Sequence, residues 1–480
     1  MERSAGGPAP RRGAILAAVM AGAILGPIDG SIVNVVLPTL SSSFGASLAA
    51  VQWVPMAYLL ASGGLVLVFG RLGDLRGHRR VFLAGLLAFV AASALCAAAP
   101  TIGALVAFRA LQGVAAAAMM SVPLAILTAT FPPAERGRAI GLFAASISVG
   151  LAIGPSLGGF LAGTLGWRAA FLVNLPVGLL AFAFARRVLP EVPVRPGRLD
   201  LPGAAAALVA LVSLLLLVNL AQEEGLAPRS APLLLVALAS GALFVARERR
   251  TAEPIVDLAI FRNRRVALGA AAAVLNFMSQ YVVVFVTPFL LARLFGAGPG
   301  RVGLVLTAFP AAVLCVAPFA GALSDRVGST RPATVGAALS AAACALLATM
   351  PPGAGSLDVA WRLSLFGLGT GLFQSPNNSS VMGSAPRAHL GVVGSLLGTS
   401  RTLGMVLGVA AAGAVLYAFV PAEALRSGTF DAATAGAFAS GVRRAYATGA
   451  AFAACAALLA AAPAFGRSGS EAQRGGPRIP

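Results

Sequence analysis

The sequence predicts an all-α membrane protein: two related six-helix bundles with a two-helix insert between them, fourteen transmembrane helices in all. Three observations lead there. The 480 residues are 58% hydrophobic and only 11% charged, whereas a soluble domain is about a quarter charged. A soluble globule of this length could not hide so much apolar surface from water. The apolar residues also gather into stretches near the length of about 20 residues that a bilayer crossing needs, and one loop pattern occurs twice, once in each half of the chain.

The spans fall near 14–37, 51–70, 81–99, 102–126, 139–163, 169–185, 201–221, 231–246, 266–292, 302–322, 333–350, 359–382, 391–418 and 445–464. The first follows Arg3, Arg11 and Arg12 and has no convincing small-residue cleavage site after it, so it is expected to stay as an uncleaved helix. Residues 1–190 form the expected first bundle, 191–259 the insert with its linkers, and 260–480 the second bundle and tail. An even number of spans puts both ends on one side. With both termini cytoplasmic, 25 of the 35 arginines lie on the cytoplasmic side and 8 on the other, and Arg109 and Arg401 lie inside spans. This asymmetry is the positive-inside pattern and places the chain in the cytoplasmic membrane. It also accounts for the net charge of +19 without nucleic acid.

Composition excludes several functions. Every basic residue is arginine; there is no lysine. A Walker A phosphate loop and a lysine Schiff base are therefore absent, and energy for any transport must come from an ion gradient or another subunit. Cys96, Cys315, Cys344 and Cys455 are dispersed through apolar stretches, and His78 and His389 lie in short loops. No metal-ligand spacing, nucleophile–base motif or cofactor fingerprint occurs, so neither an enzyme nor a cofactor is expected.

The repeated pattern is G-x-L-x-D-x-x-G-x-x-R, at Gly70–Arg80 and again at Gly321–Arg331. Both copies follow an even-numbered span. Related halves are a sequence signature of secondary transporters. Asp29 is the only acid well inside a span. A carboxylate there costs about 2.5–3.5 kcal/mol on insertion scales, and burial disfavours its charge, so it is a candidate proton carrier. Arg109 is a second embedded charge with no acid near it in sequence. Asn34, Gln52, Gln112, Asn276, Gln280, Gln374, Asn377 and Asn378 interrupt apolar spans, and polar groups in lipid need partners or water. With Tyr281 they are candidate lining for a substrate cavity; the competing reading for each is a hydrogen bond to a neighbouring helix.

These motifs resemble a known family. Asp29–Pro38 reads D-G-S-I-V-N-V-V-L-P, Arg109–Gly113 reads R-A-L-Q-G, and Trp167–Gly178 reads W-R-A-A-F-L-V-N-L-P-V-G. Gly141, Gly150, Gly154, Pro155, Gly158 and Gly159 follow an antiporter glycine pattern, and Ser375–Ser380 and Arg401–Gly404 add matches in the second half. The chain thus resembles the major facilitator superfamily, and within it the fourteen-helix drug:proton antiporters of the EmrB/QacA type. The resemblance implies proton-coupled efflux of small amphipathic compounds (drugs, antibiotics or a self-made metabolite) by alternating access. It implies proton coupling at Asp29 and Arg109. It implies gating by Asp74, Arg71 and Arg79 with Arg136 or Arg138, and by Asp325 in the second copy. It assigns close helix packing to Gly150, Gly154, Pro155, Gly158 and Gly159. The expected partners are a small-molecule substrate, protons and the bilayer, with a monomeric chain. A single embedded acid favours neutral or monocationic substrates. The rivals are a dedicated exporter of one metabolite and a membrane sensor that transports nothing; the embedded charges argue against the sensor.

Overall fold

A computed structural model describes residues 10–191, 201–224, 230–251, 262–351, 354–384, 390–421 and 432–462. His389, residues 422–431 before the last helix, and both termini lie outside the described residues. The described chain is helical: α1 (Pro10–Ala23), α2 (Leu25–Phe44), α3 (Leu48–Arg76), α4 (His78–Ala98), α5 (Ile102–Ser121), α6 (Pro123–Thr130), α7 (Pro133–Leu165), α8 (Ala169–Leu172), α9 (Asn174–Val188), α10 (Leu201–Glu224), α11 (Ala231–Glu248), α12 (Arg264–Phe289), α13 (Pro299–Val327), α14 (Thr330–Ala348), α15 (Ser356–Gly383), α16 (Leu390–Phe419) and α17 (Ala432–Ala461). A π turn, Leu290–Leu294, extends α12.

Among the described residues twelve helices are long and apolar enough to cross a membrane, not the fourteen expected. α1 with α2, α5 with α6, and α8 with α9 each act as one span. Two expected spans fall short. The apolar part of α10 is the short stretch Ala205–Val218. α15 is long but carries Arg362, Gln374, Asn377 and Asn378, and its polarity removes it from the count.

The chain divides into two compact units. One comprises Met1–Phe244, Pro288–Thr307 and Pro421–Asp431; the other comprises Val245–Thr287, Ala308–Val420 and Ala432–Pro480. In the first unit the core joins α1, α2, α3, α4, α5, α6, α7 and α9 through Val19, Leu25, Tyr58, Phe82, Met119, Ile126, Phe143 and Ala185. α10 lies on α3, with Leu208 against Gly64.

Glycine sets how close the helices come. α7 crosses α2 at Gly150, Gly154 and Gly158. A Cβ on Gly150 would stand 2.8 Å from Ile24 Cγ1, one on Gly154 would overlap Ser31 Oγ, and one on Gly158 would stand 3.0 Å from Ile32 Cα. Small residues let membrane helices approach to backbone contact, where packing rather than the hydrophobic effect holds them. Gly159 turns instead to the start of α13, within the same unit, where its Cβ would lie 2.6 Å from Pro299 O. Ser156 Oγ and Thr307 Oγ1 share a hydrogen bond of 2.6 Å beside that contact.

The repeat is present in the packing and not only in the loops. Gly85 of α4 lies on α5, its Cβ position 2.7 Å from Met119 N and 3.1 Å from Ala115 O; Gly336 of α14 lies on α15 in the same way, 2.5 Å from Phe373 N and 2.7 Å from Gly369 O. Gly113 of α5 meets Tyr58 O and Ala61 Cβ of α3, while Gly367 of α15 meets Phe309 O and Ala312 Cβ of α13. Gly150 and Gly154 meet Ile24 O and Ile28 O of α2; Gly404 and Gly408 of α16 meet Val274 O and Met278 O of α12. The loop copies share a backbone device too: Gly77 has φ +99° and Gly328 φ +81°, a conformation costly for residues with a Cβ.

The α2–α7 contact makes a specific prediction. Gly154→Ala should destabilise the protein by about 1–3 kcal/mol, the usual range for overpacking, and Ser31→Gly should restore part of the loss by removing the overlapping hydroxyl. Thermal unfolding in detergent of the two single variants and the double variant checks it.

Candidate functional site

The first unit holds a sealed polar cluster around Asp29. Two helices bring partners to its carboxylate: α5 supplies Arg109 and Gln112 and α9 supplies Asn174, while Ser93 of α4 stands behind the two amides. Arg109 Nη1 donates to Asp29 Oδ2 at 2.5 Å and also to Gln112 Oε1, and its Nε donates to Val54 O at 3.2 Å. Gln112 Nε2 donates to Asp29 Oδ1 at 2.9 Å and to Ser93 Oγ at 2.8 Å. Asn174 Nδ2 donates to the same Oδ1 at 2.7 Å and to Ser93 Oγ at 3.3 Å. Above the guanidinium lies the Tyr58 ring, 4.2 Å from its central carbon, a cation–π contact.

Asp29 is 0% exposed and Arg109 1%. Such a charge pair stays ionised away from water only if its remaining donors and acceptors are occupied. Here Oδ1 takes two amide donors, Oδ2 takes the guanidinium, and the far edge of Arg109 ends on a carbonyl. Gln112 spans the pair, bonding both charges at once, which holds its amide orientation. Asn174 Oδ1 is buried with no partner among the described residues, so this amide is bound from one side only.

The structure thus joins Asp29, Arg109 and Gln112, which the sequence singled out separately, and adds Asn174, Ser93 and Tyr58, which it did not. Asn174 lies in the Trp167–Gly178 motif and could have been found there as a lone amide in an apolar helix. The expected cavity residues fall into two groups, one in each unit. Asn34 is buried and donates to Gly30 O of its own helix, and Gln52 is buried on α3. In the second unit Gln374 Nε2 donates to Gln280 Oε1 at 3.2 Å, and Asn377 Nδ2 donates to Gly269 O at 3.1 Å. Asn276 is fully buried with neither amide atom bonded to a described residue, Tyr281 is half-buried, and Asn378 is exposed.

The repeat shows what the second unit lacks. Asp29 follows Ile28 on α2 and Ser279 follows Met278 on α12, so Ser279 stands in the acid's place. Ser93 lies two turns beyond Gly85 and Cys344 two turns beyond Gly336, and Ser279 Oγ contacts Cys344 Sγ at 3.6 Å. The counterparts of Gln112 and Arg109 are Phe366 and Leu363, both buried. One framework therefore carries a charged cluster in one copy and an apolar one in the other.

The loop residues pair differently from expectation. Asp74 meets neither Arg136 nor Arg138. Its Oδ1 lies 3.2 Å from His78 Nε2 and its Oδ2 4.0 Å from Arg71 Nη1. The turn at Gly77 brings His78 back over Asp74, so the loop closes on itself. Arg136 instead donates to Phe131 O at 2.9 Å, at the end of α6. Arg79 reaches α9 and the residue beyond its linker start, donating to Glu191 Oε1 at 3.1 Å and Arg186 O at 2.7 Å. Asp325 and Arg138 are exposed. Among the described residues no group of three or more His, Cys, Asp or Glu could hold a metal.

With this geometry in hand, comparison with known proteins is decisive at the level of family. Residues 19–409 match the model of the Major Facilitator Superfamily. The chain belongs to that superfamily. It is 33% identical over 399 residues to the riboflavin transporter RibZ of Clostridioides difficile, covering 82% of this chain and 86% of RibZ. It is 31% identical over 404 residues to the tetracenomycin C resistance and export protein of Streptomyces glaucescens, covering 84% and 75%. The fold matches an inward-facing, unoccupied bacterial homolog of the human lysosomal transporter Spinster with TM-score 0.69, over 96% of this chain and 98% of that one, at 17% identity. This superfamily member is a multi-pass membrane transporter rather than an enzyme.

The cluster predicts strong energetic coupling. Asp29→Asn and Arg109→Gln should each destabilise the protein by about 3–5 kcal/mol, because each strands a buried charge. The double variant should lose much less than the sum. Reversible unfolding in mixed micelles of the four proteins measures the coupling.

Proposed function

We propose that this transporter exports small amphipathic compounds across the cytoplasmic membrane in exchange for protons, by alternating access, as a fourteen-helix antiporter in which α10 and α15 complete the helix count. Both termini face the cytoplasm in this reading, following the arginine asymmetry. Relatives that carry drugs or antibiotics outward support the substrate class. The observation that carries the reading is the Asp29 cluster: the only acid in the middle of a described helix is held by Arg109, Gln112 and Asn174, on the helix that α7 crosses.

The chemistry follows from the contacts. A proton on Asp29 removes the negative charge that holds Arg109. The guanidinium then keeps Gln112 Oε1, Val54 O and at most a neutral carbonyl oxygen of Asp29 as acceptors, and the new O–H needs an acceptor of its own, so the ring of hydrogen bonds around the carboxyl must rearrange. Loss of the proton restores the pair. Ile28 and Ser31, which flank Asp29 and Gly30, are the residues against which Gly154 packs. A shift of α7 along α2 therefore acts on the acid's own backbone, and the state of the acid acts on that contact. Two arrangements of this interface, one for each protonation state, would link proton transfer to the opening of alternate sides. In the loop, Asp74 with His78 and Arg71, and Arg79 with Glu191, tie the ends of α3, α4 and α9 and act as the gate that must loosen when that side opens.

The test is exchange in proteoliposomes, with internal pH read by a trapped indicator and a panel of cationic, neutral and anionic amphipaths, ethidium included. Wild-type protein should move protons when substrate is added. Asp29→Asn, assayed at a temperature at which the unfolding experiment shows it folded, should lose that movement at least 100-fold while retaining equilibrium substrate binding. Unchanged proton movement in Asp29→Asn would remove Asp29 as the carrier. Asp74→Ala should slow exchange at least tenfold at normal membrane insertion, and wild-type turnover in it would remove the gate.

A further inference from the structure

The embedded charges of this chain do not balance, and the imbalance points to a substrate class. Asp29 and Arg109 neutralise one another inside a sealed cluster. Arg401 remains. It lies within α16, about 16 Å along the helix from Leu390 at 1.5 Å per residue, and its side chain is exposed. Among the described residues no carboxylate pairs with it; its electrostatic neighbour is the phenol of Tyr281 on α12. Arg443 and Arg444 of α17 also lie in this unit, but both precede the expected span 445–464, and Arg444 stacks on Phe419 at the end of α16, 3.9 Å from the ring centre.

The face that bears Arg401 is unlike the surfaces suited to lipid. Gly394, Gly398 and Arg401 share one side of α16 at i, i+4 and i+7. A Cβ added to either glycine would meet nothing within 4 Å, and Thr399 beside them is exposed. On α11, by contrast, the exposed positions are Leu234, Leu235, Leu238 and Leu243, and on α9 they are Leu179, Leu180 and Phe184. Bulky apolar side chains suit hydrocarbon; glycine, threonine and arginine do not. An arginine at membrane depth faces water or a partner, since facing lipid is costly. The open, small-residue face of α16 is therefore the wall of an aqueous path, with one unneutralised guanidinium on it. Toward the other end of the same contact, Gly404 and Gly408 press against Val274, Phe277, Met278 and Tyr281, which puts an apolar and aromatic surface next to the charge.

We propose that Arg401 is a recognition residue for an anionic group on the transported compound, so that the preferred cargo is an aromatic amphipath bearing a carboxylate or phenolate. This rests on the export reading above and reverses the expectation of neutral or monocationic cargo. That expectation required Asp29 to serve as the counter-ion for a cation, and Asp29 already has its counter-ion in Arg109. The planar guanidinium offers paired N–H donors to a carboxylate or a phenolate oxygen, and aromatic and apolar side chains of α12 supply the hydrophobic side of the pocket.

The experiment is equilibrium binding to the full-length protein in nanodiscs, read by fluorescence anisotropy, with two dyes that share a xanthene skeleton: fluorescein, an anion, and rhodamine 123, a cation. Wild type should bind fluorescein at least tenfold more tightly than rhodamine 123. Arg401→Gln should weaken fluorescein at least tenfold and leave rhodamine 123 within twofold, and Arg401→Lys should keep a reduced preference for the anion. Retention of the same thermal midpoint by both variants separates recognition from folding. Tighter binding of rhodamine 123 to wild type, absence of fluorescein binding, or a preference that survives in Arg401→Gln would each overturn the assignment. Failure of proton exchange in the liposome assay would remove antiport and leave this binding preference in place, so the two readings fall separately.

Discussion

A charge inside a membrane protein must be answered by another charge or by water, and the first unit is organised around that constraint. Asp29 is fully buried; α5 and α9 present polar side chains to its carboxylate, and Ser93 of α4 accepts from the two amides behind it. Remove Arg109 and the acid is stranded; remove Asp29 and the guanidinium is. The pairing therefore sets how α2 and α5 meet, and the amides of Gln112 and Asn174 set how α4 and α9 close behind them. Phe82, Phe89 and Met119 pack around the result as apolar filling.

Glycine supplies the second requirement, which is closeness. A cluster of short polar side chains can meet only if the helix axes come near, and Gly85, Gly113, Gly150 and Gly154 remove the side chains that would prevent it. The same positions recur in the second unit at Gly336, Gly367, Gly404 and Gly408, although its centre carries Ser279, Cys344, Leu363 and Phe366. Backbone packing is thus kept between the halves while the chemistry diverges. One half holds the acid; the other carries Arg401 on an open face of α16, with no carboxylate paired to it among the described residues.

Much of this was legible in the sequence because the membrane makes the rules strict. Long apolar stretches read as helices, the paired loop motif as a repeat, and Asp29 and Arg109 as exceptions to be explained. Two readings differ from what the structure shows. Twelve described helices meet the length and polarity test instead of fourteen, because α10 is apolar only over Ala205–Val218 and α15 interrupts its apolar run with Arg362, Gln374, Asn377 and Asn378. The loop partners were misassigned because the turn at Gly77 folds His78 onto Asp74, a local geometry that the spacing of Arg136 and Arg138 does not reveal.

The sequence by itself determined the class, the duplication and the identity of the embedded charges, since each follows from composition or from recurrence along the chain. Only the tertiary structure decided which charges meet. Asp29, Arg109 and Asn174 are far apart in the chain, and their convergence depends on helices crossing at glycines whose partners no linear pattern names. It also decided that Asp29 finds its counter-ion in Arg109, while among the described residues no carboxylate pairs with Arg401.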